Sequence, residues 1–564
     1  MATSDAKPIS SWDGPHQLPT TDCLGVQIPE GTSPVQVFWR DLLALSWDIR
    51  TLIGATRIND YLEKHLANSG LRDLTISDKP WLEPTLEKPY PDLTFVQFAF
   101  TFENAVGIGS GLARLVYTGG VWKAWTMFTS LGSLREFPEK IGPLRDATMY
   151  QGTWTEKRRA ETDMEGGKPA VVIVGAGHSG LETAARLKYI GVRALVVEKN
   201  AKIGDNWRHR YKTLSLHDTV WFDHLPYMLF PSTWPVYAPA QKLGDFLESY
   251  AHHNELDVWT SSTVKAAQWN EKDKTWAITV QRRDSVRVLC ARHVVFATGY
   301  GAGNPNVPDI PGRDKFVGKV IHSTQYTSAE EFLDKKVVVV GACTSAHDIV
   351  HDSYNHGIDV TMFQRSATYV ISKQASGDSL KELYNDRVPL EIADHYTFST
   401  PLALLRLMSQ RAVPTIAATT DKSILDGLAR VGFKTNMGYD GAGIFPLWQS
   451  RGGGYYIDTG ASRLIADGKI KLKSGGSIAS FTRTGLRFSD DSEIAADVVI
   501  FATGFGDNRE IVKDICGPDV VSKVKPVWGL DSEGELSAIY RDSGHERLWF
   551  ALEIKAIEEG LVGA

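Results

Sequence analysis

Two copies of one local pattern constrain this 564-residue chain more tightly than any other feature of it. VVIVGAGHSGLETAARLKYIGVRALVVE (171–198) runs from a β-branched stretch through a glycine turn and an amphipathic stretch to a second β-branched stretch. KKVVVVGACTSAHDIVHDSYNHGIDVTMFQRS (335–366) repeats that order. Each copy is followed, at a distance, by an apolar run ending in a similar word, HVVFATGY (293–300) and DVVIFATGF (497–505). Strand, turn, helix and strand in this order close into parallel βαβ units. The pattern predicts an α/β protein with two Rossmann-like dinucleotide-binding domains, one inserted in the other.

The first turn carries the full glycine spacing. Gly175 allows the tight bend, Gly177 lets a pyrophosphate approach the backbone, and Gly180 lets helix and strand pack closely. The helix start at Ser179 offers free N–H groups to phosphates. Glu198, ending the second strand, is placed to accept from ribose hydroxyls. The second turn keeps Gly341 but has Cys343 and Ala346 in the other two places. An alanine is acceptable in the third place, and Cys343 reads as a small packed thiol. No acid ends its second strand; Arg365 stands there, which suits a 2′-phosphate and favours NADPH over NADH.

The stretch before Pro169 reads differently. FWRDLLALSWDIRTLIGATRINDYLEKHL sets Phe38, Leu42, Leu45, Ile49, Leu52 and Ile53 on one stripe at helical spacing. LTFVQFAFTFENAVG then alternates, and two further strand candidates flank the turn signal Thr118-Gly119-Gly120. Helices first and an antiparallel meander after make an α+β unit, which resembles the cone-shaped fold of the SnoaL-like, nuclear-transport-factor-like superfamily. Trp39, Trp47, Phe98, Trp122 and Trp125 are expected in its core. Without an acid–base pair at recognisable spacing, this cone is assigned an accessory or assembly role, a homodimer included. The expected division is an extension at 1–32, the cone at 33–135 and a linker at 136–168. A first dinucleotide domain takes 169–330 and 460–564, and the second takes 331–459.

Composition removes several classes. Against 67 Asp and Glu stand 61 Lys and Arg, a net charge of −6, without the basic excess that a nucleic-acid or anionic-membrane protein needs. The 4 cysteines stand far apart with no CxxC, so no disulfide framework and no metal clip is expected. No apolar run reaches the length of a membrane span, and the first residues lack a secretory pattern. A soluble cytoplasmic protein is expected.

Phe316-Val317-Gly318-Lys319-Val320-Ile321-His322-Ser323-Thr324-Gln325-Tyr326 resembles the FxGxxxHSxxY fingerprint of the class B flavin-dependent monooxygenases. EKNAKIGDNWRHRYKTLSLHDTVWFDHLPYMLFPSTWPVYAP is similar to the loop across the flavin in their auxin-forming, YUCCA-type branch, and the resemblance runs from about Pro169 to Gly560. It implies FAD in the first domain and NADPH in the second. NADPH would reduce FAD, reduced flavin would capture O₂ as a C4a-peroxide, and one oxygen would pass to a small organic molecule. It adds Lys199, Trp207, Arg208, Gly299, Ser345 and Gly504 to the cofactor-contacting set. His217 and His322 become the candidate chemical residues, His217 by a hydrogen bond to flavin or nicotinamide and His322 as a proton relay. Trp221 is expected beside Trp207 as a flavin wall, and Asp458 in a turn. Family members carry a longer link to the terminal helix, whereas fourteen residues follow Phe550 here, so weaker FAD retention is expected.

Tyr326 at the fingerprint's end fits heteroatom oxygenation or oxidative decarboxylation of a 2-oxo acid. The ketone-oxygenating Baeyer–Villiger branch shows Trp followed by Pro or Asp there. A flavin disulfide reductase would need a cysteine pair after the first nucleotide unit, and none lies between Gly180 and Cys290. A catalytically impaired nucleotide-binding scaffold remains the alternative of another class.

Overall fold

The computed structural model describes residues 36–552 apart from 119–120, 166 and 301–303. The expected N-terminal extension, the tip of the Thr118-Gly119-Gly120 turn and the short C-terminal connection lie outside the described residues.

The first unit opens on strands. β1 (Phe38–Leu42) and β2 (Ile49–Ile53) form an antiparallel hairpin with Phe38 opposite Ile53, where the spacing predicts a helix. Phe38 and Leu42 are four apart, so they share a face in a strand as well as in a helix, and tertiary pairing decides. β1 lies parallel against β7 (below). The buried Asp41 carboxylate turns the chain after it, accepting from Leu45 N at 3.0 Å and from the hydroxyls of Tyr61 and Thr129. The helix α1 (Ala55–Ser69) begins only after Gly54, whose φ is +91°. β3 (Arg72–Ile76), β4 (Thr85–Tyr90), β5 (Leu93–Glu103), β6 (Gly107–Thr118) and β7 (Val121–Leu134) complete a sheet ordered β2-β1-β7-β6-β5-β3, with β4 on β5. Trp47, expected in the core, is 60% exposed, because it falls in the hairpin turn rather than on a helix face.

The expected linker is not free chain. Its helix α2 (Trp154–Thr162) is tied to the next unit by Arg158 to Asp257 at 3.0 Å, and Thr162 O accepts from Trp259 Nε1 at 2.7 Å.

The first nucleotide unit has β8 (Val171–Val174), α3 (His178–Tyr189) and β9 (Ala194–Val197), then α4 (Asp205–Arg208), α5 (Ala240–His253) and β10 (Val258–Trp259). An antiparallel meander follows, β11 (Ser262–Asn270), β12 (Thr275–Arg282) and β13 (Ser285–Ala291), leading into β14 (His293–Phe296). The second unit starts with β15 (Lys319–His322) and repeats the plan with β16 (Lys336–Val340), α6 (Thr344–Asn355) and β17 (Asp359–Gln364). Inserted next are β18 (Thr368–Ser372), α7 (Lys373–Leu380), α8 (Leu390–Phe398), α9 (Leu402–Ala418), β19 (Thr435–Asn436) and β20 (Tyr455–Asp458). β21 (Lys471–Ser474), the meander β22 (Ile478–Thr482), β23 (Gly485–Phe488) and β24 (Glu493–Ala495), and β25 (Val498–Phe501) close it. β26 (Leu548–Phe550) returns to the first sheet.

The two sheets are all-parallel and laid out alike, β10-β9-β8-β14-β26 and β21-β17-β16-β25-β15. Their strands are buried on both faces, as parallel sheets require. The expected boundaries at 331 and 460 need correcting. They would cut β15, β21 and β25 away from the sheet in which all three pair.

The N-terminal unit is clamped onto the rest by buried charge. Arg40 on β1 grips Glu535 bidentately at 2.8 and 2.9 Å, with side-chain exposures of 5% and 3%, and donates to Phe398 O at the end of α8 at 2.7 Å. Arg50 pairs with Glu533, and Arg114 donates to Ser399 Oγ at 2.9 Å. Leu42, Ile49, Leu112 and Phe128 pack against Tyr396, Phe398 and Tyr540 around these bonds. Removing one partner strands the other as a buried charge. Arg40→Met is therefore expected to destabilise the protein by about 3–5 kcal/mol, read as a fall in the urea midpoint, and the double variant Arg40→Met, Glu535→Leu to recover part of the loss.

Candidate active site

Both elbows are shaped by a carbonyl that leaves no room for a side chain. Gly175 has φ +109°, and a Cβ there would sit 2.4 Å from Ala297 O. Gly341 has φ +141°, and a Cβ would sit 2.4 Å from Ala502 O. Ala297 and Ala502 are the alanines of the two ATG words, so the repeated words and the repeated turns are two sides of one contact. Gly299 and Gly504 in these words also have positive φ, +70° and +76°. At Gly180 a Cβ would meet Gly175 O at 2.0 Å, whereas its counterpart Ala346 is accommodated, buried, in the second helix.

The first elbow is prepared for a ligand with many acceptors and donors. Gly177 caps α3, whose first turn holds Ser179 and Gly180. Glu198 is buried, and its carboxylate accepts from Ala176 N and from Asn200 N, both at 2.8 Å. Each oxygen keeps a further lone pair for a ribose hydroxyl. Lys199 beside it is exposed. His178 Nδ1, Trp207 Nε1, Arg210 Nε and Thr298 Oγ1 are buried without hydrogen-bond partners, in the turns around this elbow. Burial pushes His178 down to about 4, so its imidazole is neutral at pH 7. Orphaned polar groups are rare in folded proteins, and a dinucleotide with a polar ring system supplies what these lack. The residues fit FAD.

Arg208 is a correction to the expected contact set. Its five N–H groups are consumed by Asp205, Asp245, Glu248 and the carbonyls of Ile203 and Gly244, so it braces α4 against α5 and has no donor left for a phosphate. The neighbouring Arg210, which sequence reasoning passes over, is the arginine with an unsatisfied donor.

At the second elbow Ser345 lies in the first turn of α6, after Cys343 at the cap. Gln364 stands at the place matching Glu198. Its amide is committed to the backbone of Lys434, at 2.8 Å to the carbonyl and 2.7 Å from the amide. Arg365 follows it, exposed. The same bonds bring Lys434 to this strand end, and its Nζ lies beside Gly475, whose N–H is bonded to Gln364 O. Two cations and no acid at the strand end fit the 2′-phosphate of NADPH. Lys434 was out of reach of sequence reasoning because it lies about 70 residues away in the chain.

Between the elbows runs a strap, residues 210–219. Tyr211 donates its hydroxyl to Asp348 Oδ2 of α6 at 2.7 Å, and His217 Nε2 lies 3.9 Å from the same oxygen. Lys212 N donates to Thr327 O just past the fingerprint. His322 is 2% exposed, its Nδ1 accepts from Thr324 N at 3.2 Å, and burial lowers its pKa. With Nδ1 accepting, the neutral ring carries its proton on Nε2, which is buried without a hydrogen-bond partner. Through Nδ1 the ring holds a turn together, and Nε2 is the atom through which it would act as a proton relay. Tyr326 donates to Asp352 at 2.5 Å, and a Cβ on Gly318 would meet Asp497 O at 2.4 Å. The fingerprint thus fastens an edge strand to α6 and to the strap. Asp458 accepts from Gly460 N and Ser462 N, as a turn aspartate does. Trp221 lines a cavity together with other residues of the segment 220–236 and with residues 385–394.

The pyridine nucleotide-disulphide oxidoreductase family matches residues 172–401. Indole-3-pyruvate monooxygenase YUCCA1 of Oryza sativa subsp. japonica is 33% identical over 354 residues, 63% of this chain and 80% of that protein. The chain belongs to the class B flavin monooxygenases. Probable indole-3-pyruvate monooxygenase YUCCA3 of Arabidopsis thaliana is 33% identical over 347 residues, 60% of this chain and 73% of that one. Among solved structures, an open crystal structure of cyclohexanone monooxygenase aligns with TM-score 0.49 at 17% identity, covering 67% of this chain and 81% of that one. This flavin monooxygenase is an oxidoreductase that works with FAD and NADPH. Among the described residues no helix is long and apolar enough to cross a membrane.

Separate loss of the two cofactors follows from the two crowded glycines. Gly175→Ala should abolish the yellow colour of the purified protein. Gly341→Ala should leave the colour and raise the NADPH concentration for half-maximal flavin reduction by about tenfold or more, measured by anaerobic bleaching of the flavin band.

Proposed function

We propose that this flavin monooxygenase oxidatively decarboxylates an aromatic 2-oxo acid, and that the acid's ring sits in the cavity between the loop 220–236 and α8. The observation that carries the reading is the cavity itself, about 530 Å³, walled by Trp221, Leu225, Tyr227, Phe230 and Trp234 and bordered by Leu390 of α8. An apolar space of that size with a few polar groups is what a small aromatic metabolite requires. The curated relatives named as indole-3-pyruvate monooxygenases support the same class.

The balance is 2-oxo acid, O₂, NADPH and a proton giving the acid one carbon shorter, CO₂, NADP⁺ and water. Bound FAD supplies the electron transfer and oxygen activation. The chain's own residues bind, orient and exclude water. Loop and strap leave one continuous stretch of chain, so His217 at its base faces the junction of the elbows while its tip forms the cavity. Leu225, Tyr227, Phe230 and Trp234 belong to the apolar cluster that also takes in Trp207, which carries a dry surface from cavity to elbow.

One wall is fixed by charge. His224 Nδ1 is 3.1 Å from Trp221 O and its Nε2 is 2.9 Å from Asp394 Oδ2, so both ring nitrogens face acceptors. The buried pair locks the loop to α8. Asp386 and Glu391 at the rim favour a second reading, oxygenation of an apolar amine. The N-terminal unit, read as a SnoaL-like cone, serves here as a support, since its contacts with α8 hold the helix that borders the cavity.

NADPH oxidation by the FAD-loaded protein, screened over aromatic 2-oxo acids, amines, thioethers and ketones, decides among these. The expected result is stimulation by the 2-oxo acids with one CO₂ per NADPH consumed. Stimulation by amines alone would select the second reading.

A further inference from the structure

Helix α6 presents two carboxylates one turn apart, Asp352 buried and Asp348 largely enclosed, and each receives a tyrosine hydroxyl from a different part of the chain. Asp352 takes Tyr326 of the fingerprint at 2.5 Å, together with Ala329 N at 2.9 Å. Asp348 takes Tyr211 of the strap at 2.7 Å, with His217 Nε2 3.9 Å away. The two tyrosine rings lie 6.2 Å apart. The fingerprint pair joins parts of the second unit. The other pair crosses between units, because the strap continues directly from Trp207 at the first elbow while Asp348 lies one residue beyond His347 in the helix that begins at the second.

We propose that Asp348 is a positioning residue, latching the strap and its His217 to the helix of the second elbow so that occupancy of that elbow is felt at the first. The proposal rests on the assignment of the second elbow to NADPH; it does not depend on which substrate is oxygenated. Three features make the contact a latch. Asp348 and Tyr211 are largely enclosed, so the bond is shielded from competing water. Lys212 adds its N–H to Thr327 O and pairs with Glu330, so the strap is held at consecutive residues. Arg210 immediately before has a buried Nε without a partner and lies over the Tyr211 ring at 5.6 Å, so the strap also carries an unused donor into the junction.

The groups that face Asp348 are Tyr211, His217 and Arg210 from the strap and His351 from its own helix, and Ser345 lies at the Tyr211 hydroxyl. Burial raises the Asp348 pKa, and the lowering by His217, Tyr211, His351 and Arg210 does not cancel it.

Hydrogen exchange of the FAD-loaded protein, followed by mass spectrometry on peptides covering 208–219, tests this without any substrate. Asp348→Asn and Tyr211→Phe are each expected to speed exchange there by about tenfold, with β16, β17 and α3 unchanged. Asp348→Glu should restore part of the protection. In a titration with NADP⁺, the shift of the flavin absorption band should shrink severalfold in Asp348→Asn while NADP⁺ affinity changes less than about threefold. If Asp348→Asn does not fold, Tyr211→Phe carries the exchange test alone. Exchange at 208–219 unchanged in whichever variants fold, or a flavin shift that keeps its full size when NADP⁺ binds to Asp348→Asn, overturns the latch. A failure of every 2-oxo acid to stimulate NADPH oxidation would overturn the proposed substrate and leave these results standing.

Discussion

A backbone oxygen pressed against a residue without a side chain sets the geometry of both nucleotide units. Ala297 O and Ala502 O each occupy the space in which a Cβ on the elbow glycine would lie. That contact brings the closing strand of each sheet alongside the turn and aims the following helix at whatever enters the elbow. It also explains why the two units match beyond their glycine turns. A parallel strand pair, an antiparallel meander and a closing strand recur in the same order around the same oxygen. The rest of the site is built by joining two such frames.

Joining them is the work of helix α6 and the segments laid against it. A hydrogen bond to a buried carboxylate is among the stronger neutral-to-charged contacts available to a protein. This helix uses two, from Tyr211 and Tyr326, where water is excluded. The units keep separate hydrophobic cores, one running through Val172, Leu195 and Phe296 and another through Val339, Ile349 and Ile500. Trp207 packs against the cores of both units and Tyr211 and Leu214 of the strap enter the second, so apolar packing and the tyrosine–carboxylate bonds together set how the two elbows face each other. A pair of cofactors that must meet ring to ring depends on that relation.

Much of this is legible in the sequence because it is local. The glycine spacing, the acid at Glu198, the missing acid before Arg365 and the fingerprint all lie within short stretches whose conformation their own residues dictate. The failures come from contacts across long separations. Phe38 to Ile53 has a pattern that fits a helix, yet β7 about ninety residues on supplies a strand partner and wins. Arg208 looks like a phosphate ligand until α5 brings Asp245 and Glu248 to it. Tyr211 and Asp348 are unremarkable singly, and only folding makes them a pair. Domain limits fail for the same reason, since β25 joins a sheet begun more than a hundred residues earlier.

The charged clamp on the N-terminal unit has a bearing on how the gene can change. Glu533 and Glu535 sit near the end of the chain and face Arg50 and Arg40 near its beginning. Both acids bond to the N-terminal unit, Glu535 through Arg40 and Thr51 and Glu533 through Arg50, so a copy stripped of the front module would bare two acids and the apolar patch of Tyr396, Phe398 and Tyr540 to water. Loss of that module in any descendant, or its transplantation onto a cousin, would have to be accompanied by changes on the surface that it covers. An appendage attached in this way is inherited as part of the body.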